Sequence, residues 1–272
     1  MTLAADQIRH YQDQGYVFPH RVLDDAEVAD YRARLEAVER SEADAGHLKF
    51  KPHLVLTFLN DLIRHPKILD AVEGVIGPNI LCWGTNFFTK EPKTTNFISW
   101  HQDLTYWGLD PADIVTAWVA LSPATVASGC MRFVPGSHKM EIVPHNDTFD
   151  ENNMLTRGQE VTVAVDEKDA VDIELQPGEM SLHHVKLIHG SNANSSDDRR
   201  IGFAIRYIPA YVRQVVGEKD SAVLVRGVDS EGNFEHETPP SADLDPAALE
   251  RQVAIMKRQE AILFRDTDRG YR

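Results

Sequence analysis

Trp100-His101-Gln102-Asp103 sets an imidazole and a carboxylate two positions apart, and His189 and Arg200 stand far downstream. In an extended strand alternate side chains share a face, so His101 and Asp103 are aimed to one side at a ligand spacing. One more histidine would complete a set of two imidazoles and a carboxylate. That set covers three corners of an octahedral ferrous ion and leaves three for a co-substrate and dioxygen, the arrangement used by non-haem iron oxygenases. The downstream candidate is His189 in Leu187-Ile188-His189-Gly190-Ser191, with His183 and His184 competing from the same strand-like run. Eleven residues after His189, Arg200 offers a planar fork of donors suited to the distal carboxylate of a 2-oxo acid. Arg199 would face the other way on the same strand.

These residues need a frame that brings positions near 100 and near 190 together. Helical spacing is present over 4–15, over 24–40, where Asp24-Asp25 supplies the cap, and over 60–75 before the break at Gly77-Pro78. From there the texture changes to short β-rich runs at 79–89, 97–103, 113–121, 129–134, 161–164, 171–175, 179–188 and 201–211. About eight such runs punctuated by turn residues predict a mainly β fold with flanking helices, a sandwich or jelly roll. The acidic stretch 136–170 reads as a long surface loop or lid turning at Asn146-Asp147, and 246–264 as a helix in a packed C-terminal tail. The chain is expected to be a single domain over 1–272, with N-terminal helices over 4–75, a core over 79–212 and a tail over 213–272.

Bulk properties narrow the function. A net charge of −14 argues against a nucleic-acid surface, which needs clustered Lys and Arg, and against a very acidic partner. A small diffusible substrate is the expectation; the sequence leaves the oligomeric state open. No apolar run is long enough to span a bilayer and no secretory signal is visible, so the expected location is the cytoplasm. Cys82 and Cys130 lie in apolar runs and read as small buried thiols in a reduced compartment.

The ordered set Gly77-Pro78-Asn79, Trp100-His101-Gln102-Asp103, Gly129-Cys130-Met131, Pro135-Gly136-Ser137-His138-Lys139, His189-Gly190-Ser191 and Arg200 resembles the phytanoyl-CoA dioxygenase family. The resemblance runs from about residue 5 to 212. It implies a double-stranded β-helix, Fe(II), 2-oxoglutarate and O2, with His101, Asp103 and His189 as iron ligands and Arg200 on the distal carboxylate of 2-oxoglutarate. Ser191 and Trp118 match residues lining that co-substrate pocket in relatives, and Thr116 lies two before the tryptophan on the same strand face. Segments 81–90 and 202–209 are also similar to the carrier-tethered aliphatic halogenases, in which alanine or glycine replaces the metal carboxylate and admits chloride. Asp103 fills that place here, so hydroxylation rather than halogenation is implied.

Asn86, Tyr106, Trp107, Arg206 and Arg132 are the substrate candidates; Lys51 and His53 are more remote ones, and His138 is expected to steady a turn. His184 is expected to support a ligand by hydrogen bonding rather than to ligate. The expected reaction hydroxylates an unactivated C–H bond of a small polar metabolite, with release of succinate and CO2. A non-catalytic jelly-roll binding protein, or another 2-oxoglutarate outcome such as desaturation or epimerisation, is the alternative.

Overall fold

The computed structural model describes residues 2–41 and 45–270. Five α-helices are present among the described residues: α1 (Ala5–Gln14), α2 (Asp25–Glu39), α3 (Thr57–Leu62), α4 (Pro66–Ile76) and α5 (Pro246–Leu263). Asp24 caps α2 as its position predicts. Its carboxylate accepts from the Glu27 N–H at 2.9 Å, and the Glu27 carboxylate accepts from the Asp24 N–H at 2.8 Å, a reciprocal cap of the kind that contributes about 1 kcal/mol. The helix expected over 60–75 is in fact two. Pro66 opens α4 and holds His65 at ψ 124, outside the helical region, because its ring crowds the preceding residue.

The strands in chain order are β1 (Tyr16–Arg21), β2 (Ile80–Lys90), β3 (Ile98–His101), β4 (Leu109–Asp110), β5 (Val115–Ala120), β6 (Met131–Phe133), β7 (His145–Asp147), β8 (Gln159–Val161), β9 (Val171–Ile173), β10 (Glu179–His184), β11 (His189–Ser191), β12 (Arg200–Pro209), β13 (Arg213–Gln214), β14 (Ser221–Arg226) and β15 (Glu235–His236). A seven-stranded sheet runs β1-β10-β5-β12-β2-β14-β15, and a four-stranded sheet runs β3-β11-β6-β9. The two sheets face each other as a jelly roll, as the β-rich texture predicts.

Period 2 sorts the large sheet into two faces. On β12, Ile201, Phe203, Ile205 and Tyr207 point to the helices and join Leu59, Leu62, Ile68 and Val72 of α3 and α4 in the main core. Arg200, Gly202, Ala204 and Arg206 point the other way, toward the small sheet. All ten residues of β12 are buried, so these two arginines are interior groups.

Several sequence expectations are corrected. The run 97–103 is a strand only to His101, and Asp103 begins a 3-10 turn (Asp103–Tyr106). The run 179–188 is a strand only over β10, to His184 in the large sheet; β11 of the small sheet begins after it, at His189. Asn146 and Asp147 lie in β7, which pairs with β8 in a hairpin, rather than at a turn; β8 itself is Gln159–Val161, not 161–164. The tail adds β14 to the large sheet beside β2. No helix among the described residues is long and apolar enough to cross a membrane.

Candidate active site

The small sheet supplies the histidines. β11 pairs with β3 so that His189 lies directly opposite His101, and their ring centroids are 4.1 Å apart. Asp103 reaches the same point from its 3-10 turn, which is fixed by a hydrogen bond from the Asp103 N–H to the Val185 carbonyl at 3.1 Å. His101 Nε2 is 3.2 Å and His189 Nε2 4.0 Å from Asp103 Oδ1. The ligand atoms of these three buried residues all lie within 4.8 Å of one another, and no other such group of three occurs among the described residues.

The tautomers follow from the backbone. His101 Nδ1 is 2.9 Å from the Ser99 carbonyl and His189 Nδ1 is 2.9 Å from the Leu187 carbonyl. A carbonyl can only accept, so each Nδ1 carries the proton and each Nε2 presents a lone pair. Two lone pairs and a carboxylate therefore converge on one point, a donor set suited to a divalent cation with oxygen and nitrogen preference. Burial, and then the neighbouring His101, push His189 down to about 4, so its ring is neutral. Burial alone would raise Asp103; a proton shared from His101 Nε2, and then the charge of a protonated imidazole beside it, lower it well below the usual carboxylate range, and with both Nε2 lone pairs free a cation takes that part.

The large sheet faces this triad with two basic side chains. Arg200 and Lys90 are opposite each other in register on β12 and β2, and both are fully buried. Arg200 Nη1 donates to the Gly129 carbonyl at 2.5 Å, while its Nε and Nη2 have no partner. Lys90 Nζ donates to Ser191 Oγ at 2.6 Å and to the Asn192 carbonyl. Burial, and then Arg200, push Lys90 down to about 6; burial pushes Arg200 down to about 10. Neither makes an ion pair with a carboxylate among the described residues, which leaves the pair able to hold an anion.

Two glycines make the cradle. Gly129 sits at φ +71, and an added Cβ would lie 2.3 Å from the Asn192 carbonyl, so only glycine brings its own carbonyl under both Lys90 and Arg200. At Gly202 an added Cβ would lie 1.7 Å from Trp118 Cζ2, so its absence lets the indole cross β12 and lie 5.3 Å from the Arg200 guanidinium. Thr116, Trp118 and Ser191 line the cavity that joins Arg200 to the triad.

A larger cavity of about 510 Å³ opens on the other side of the triad, lined by Asn86, Tyr106, Trp107 and Arg206 among others. Arg132 is not there. It lies outside the cavity, paired with Glu167 at 2.6 Å and Asp172 at 3.2 Å and stacked on Trp100, so its guanidinium is committed elsewhere. Lys51 and His53 are also absent from it, bound to Glu237 behind β2. Arg199 faces outward to Glu39 and Glu91, opposite to Arg200 as alternation requires. His184 turns toward Tyr11 and His138, whereas His183 faces the site with its ring 4.8 Å from that of His189. The supporting role expected of His184 therefore has no basis in the geometry. His138 sits in a 3-10 turn, its Nε2 on the Gln12 carbonyl at 3.1 Å.

Sequence reasoning missed Lys90 as a site residue, together with the contribution of residues 149–157 and of α5 to the cavity wall. Lys90 had a signal: it ends the inward series Gly84, Asn86, Phe88, Lys90 of an otherwise apolar strand. The wall had none, because it is set by packing of remote segments.

Comparison with known proteins agrees with this geometry. A structure described as the apo form of ThoJ, a non-heme monooxygenase, superposes with a TM-score of 0.86 at 35% identity over 95% of this chain and 97% of that one; a nickel complex of the same protein also matches. The human protein named phytanoyl-CoA dioxygenase, peroxisomal, is 27% identical over 234 residues, covering 77% of this chain and 69% of the relative. A Stutzerimonas stutzeri protein named probable alpha-ketoglutarate-dependent hypophosphite dioxygenase is 26% identical, covering 78% and 81%. The family model described as Phytanoyl-CoA dioxygenase (PhyH) matches residues 11–202, which include the triad and Arg200. The chain belongs to the phytanoyl-CoA dioxygenase family.

Proposed function

We propose that this chain is an Fe(II)- and 2-oxoglutarate-dependent dioxygenase that hydroxylates an unactivated C–H bond of a small metabolite with a polar group, releasing succinate and CO2. The observation that carries the reading is the meeting of two imidazole lone pairs and a carboxylate whose protons are already committed to Ser99 and Leu187. Such a set is complete only with a cation at its centre. In this reading His101, Asp103 and His189 hold the iron, which when bound supplies the redox chemistry that couples oxidation of the 2-oxo acid to that of the substrate.

The remaining work belongs to the protein. Arg200 and Lys90 grip the distal carboxylate of 2-oxoglutarate, which supplies the charge they lack. Trp118 and Thr116 wall the co-substrate against water, and Ser191 holds Lys90 in place. Asp103 occupies the corner that a halide would need, so chloride buffer gives no chlorinated product. Asn86, Tyr106, Trp107 and Arg206 face the substrate. We take residues 1–272 as one catalytic domain and its place as the cytoplasm, the latter checked by fractionation because the human relative is named as peroxisomal.

The test is succinate release under aerobic conditions with Fe(II), 2-oxoglutarate and a panel of candidate metabolites, followed by mass analysis of the product. One added oxygen supports hydroxylation, loss of two hydrogens assigns desaturation, and succinate release with an isomeric product of unchanged mass assigns epimerisation to the same centre. No succinate with any candidate, together with no binding of 2-oxoglutarate, returns the chain to a non-catalytic binding protein.

A further inference from the structure

The cavity of about 510 Å³ falls in the range of sites that enclose a drug-sized molecule. Its walls are aromatic: Phe50, Phe88, Tyr106, Trp107 and Phe149 come from four separate segments, Tyr106 and Trp107 being neighbours in one turn, and Trp107 is braced by Trp83 at 4.8 Å. Flat rings that line one space favour a flat guest, which fits among them at little conformational cost.

One cation stands at its inner end. Arg206 lines both this cavity and the space around the triad, and it is 7% exposed. Nη1 donates to Asn86 Oδ1 at 2.5 Å, a neutral partner, and Nε has none. The guanidinium lies 5.7 Å from the rings of both Phe88 and Trp107 and forms no ion pair among the described residues. Asp103 is the nearest relevant charge, and in the proposed function it is committed to iron.

The C-terminal helix lines the same cavity. Met256 and Leu263 of α5 reach the cavity from beyond residue 202, where the family match ends. Arg157 holds that helix down: Nη1 donates to the Leu263 carbonyl at 2.9 Å, Nε donates to Asp147 at 2.9 Å, and the guanidinium lies 3.8 Å from the Tyr106 ring centroid. A cation at a helix C-terminus is favourably placed. This clasp reaches to within three residues of Asp103.

We propose that the substrate has a flat, unsaturated ring body lying among these aromatic walls and one acceptor oxygen, carboxylate or carbonyl, held by Arg206 near the metal, with α5 limiting the length of the ring body. This rests on the oxygenase reading and narrows its polar metabolite to a molecule polar at one end.

The probe is anilinonaphthalene sulfonate, titrated by fluorescence into the full chain loaded with nickel and 2-oxoglutarate. Saturable one-to-one binding is expected. N-phenylnaphthylamine, the same rings without charge, and decane sulfonate, the same charge without rings, should each bind about tenfold or more weakly. Arg206→Met should weaken the sulfonate about tenfold and leave N-phenylnaphthylamine unchanged, with Arg206→Lys as a second variant that keeps charge but loses the fork. Met256→Trp should exclude the anilinonaphthalene probe and still admit benzene sulfonate. Equal binding of the three probes overturns the proposal, as does indifference to both Arg206→Met and Met256→Trp. Calorimetry of nickel and 2-oxoglutarate on the same samples separates the two levels: if those bind while the probes fail, only the substrate class falls; if they do not bind, the oxygenase reading falls first.

Discussion

Strand β2 separates two buried charged clusters, and they are built on opposite rules. Behind the strand, Lys51 donates to Glu237 at 2.5 Å and to the Ser221 carbonyl at 2.8 Å, His53 bonds Thr85 at 2.7 Å, and Ser221 Oγ donates to the same glutamate at 2.8 Å. Every charge there has its opposite. Burial would raise Glu237, but Lys51 and His53 hold it down to about 2. In front of the strand, Lys90 and Arg200 share neutral carbonyls and a hydroxyl, and three acceptors meet around Asp103. A buried cluster that closes on itself is structure; one that lacks a counter-charge on each side is waiting for ligands.

The largest effect is expected where the comparison is sharpest. Asp103→Ala removes the only anion of the triad, so nickel affinity should fall by more than the ten- to hundredfold typical of residues that merely support a ligand. Succinate release should vanish with it. Nickel binding within tenfold of the parent would show that the cation sits elsewhere.

The next pair reverses sign between the clusters. Glu237→Gln leaves Lys51 buried without an anion and should cost about 3–5 kcal/mol in urea unfolding, with no change in the 2-oxoglutarate requirement. Arg200→Met removes a cation that the fold itself does not neutralise. Its stability without co-substrate should be unchanged or higher by about 1–2 kcal/mol, while 2-oxoglutarate binding weakens more than a hundredfold. Destabilisation by both substitutions would erase the distinction between the clusters.

How much of this was legible follows the same division. Helix caps, the β texture and the His101, Asp103, His189 and Arg200 set come from local pattern and motif, and Arg199 could be set aside by alternation alone. The failures are non-local. Whether His183 or His184 faces the site depends on which strand pairs with β10, which no single-chain pattern encodes; pairing with β5 sets His183 opposite Thr116 on the inward face. Arg132, expected at the substrate, is instead paired with Glu167 and Asp172, which come from another strand and loop. Lys90 and the α5 wall depend on register and tertiary packing. Asp103 was assigned to the right neighbourhood for an incomplete reason, since a 3-10 turn rather than strand alternation aims it.

A smaller change probes the wall of the open cluster. Gly202→Ala puts a methyl group on the Trp118 indole, and overpacking of this kind costs about 1–3 kcal/mol. Displacing the indole should weaken 2-oxoglutarate binding without altering nickel affinity in its absence. Equal losses in both would mean that the glycine serves the fold and not the cradle.

The smallest effect is a proton. Lys90 is pushed down to about 6 by burial and then by Arg200, against about 10.4 for an unstructured lysine. Between those values the unfolded chain binds one more proton than the folded one, so stability rises with pH across that window. Below about 6 the full cost of a buried ammonium is present. A dicarboxylate in the cradle favours the ammonium and lifts Lys90 again. Binding of 2-oxoglutarate at neutral to mildly alkaline pH should therefore take up close to one proton, and affinity should fall as pH rises above about 6. Calorimetry in buffers of different ionisation enthalpy measures the uptake directly. Lys90→Met should abolish it, whereas Glu237→Gln, which disturbs only the closed cluster, should leave it intact. Uptake that survives loss of Lys90 would move the titrating group elsewhere and leave Arg200 as the sole cation gripping the co-substrate.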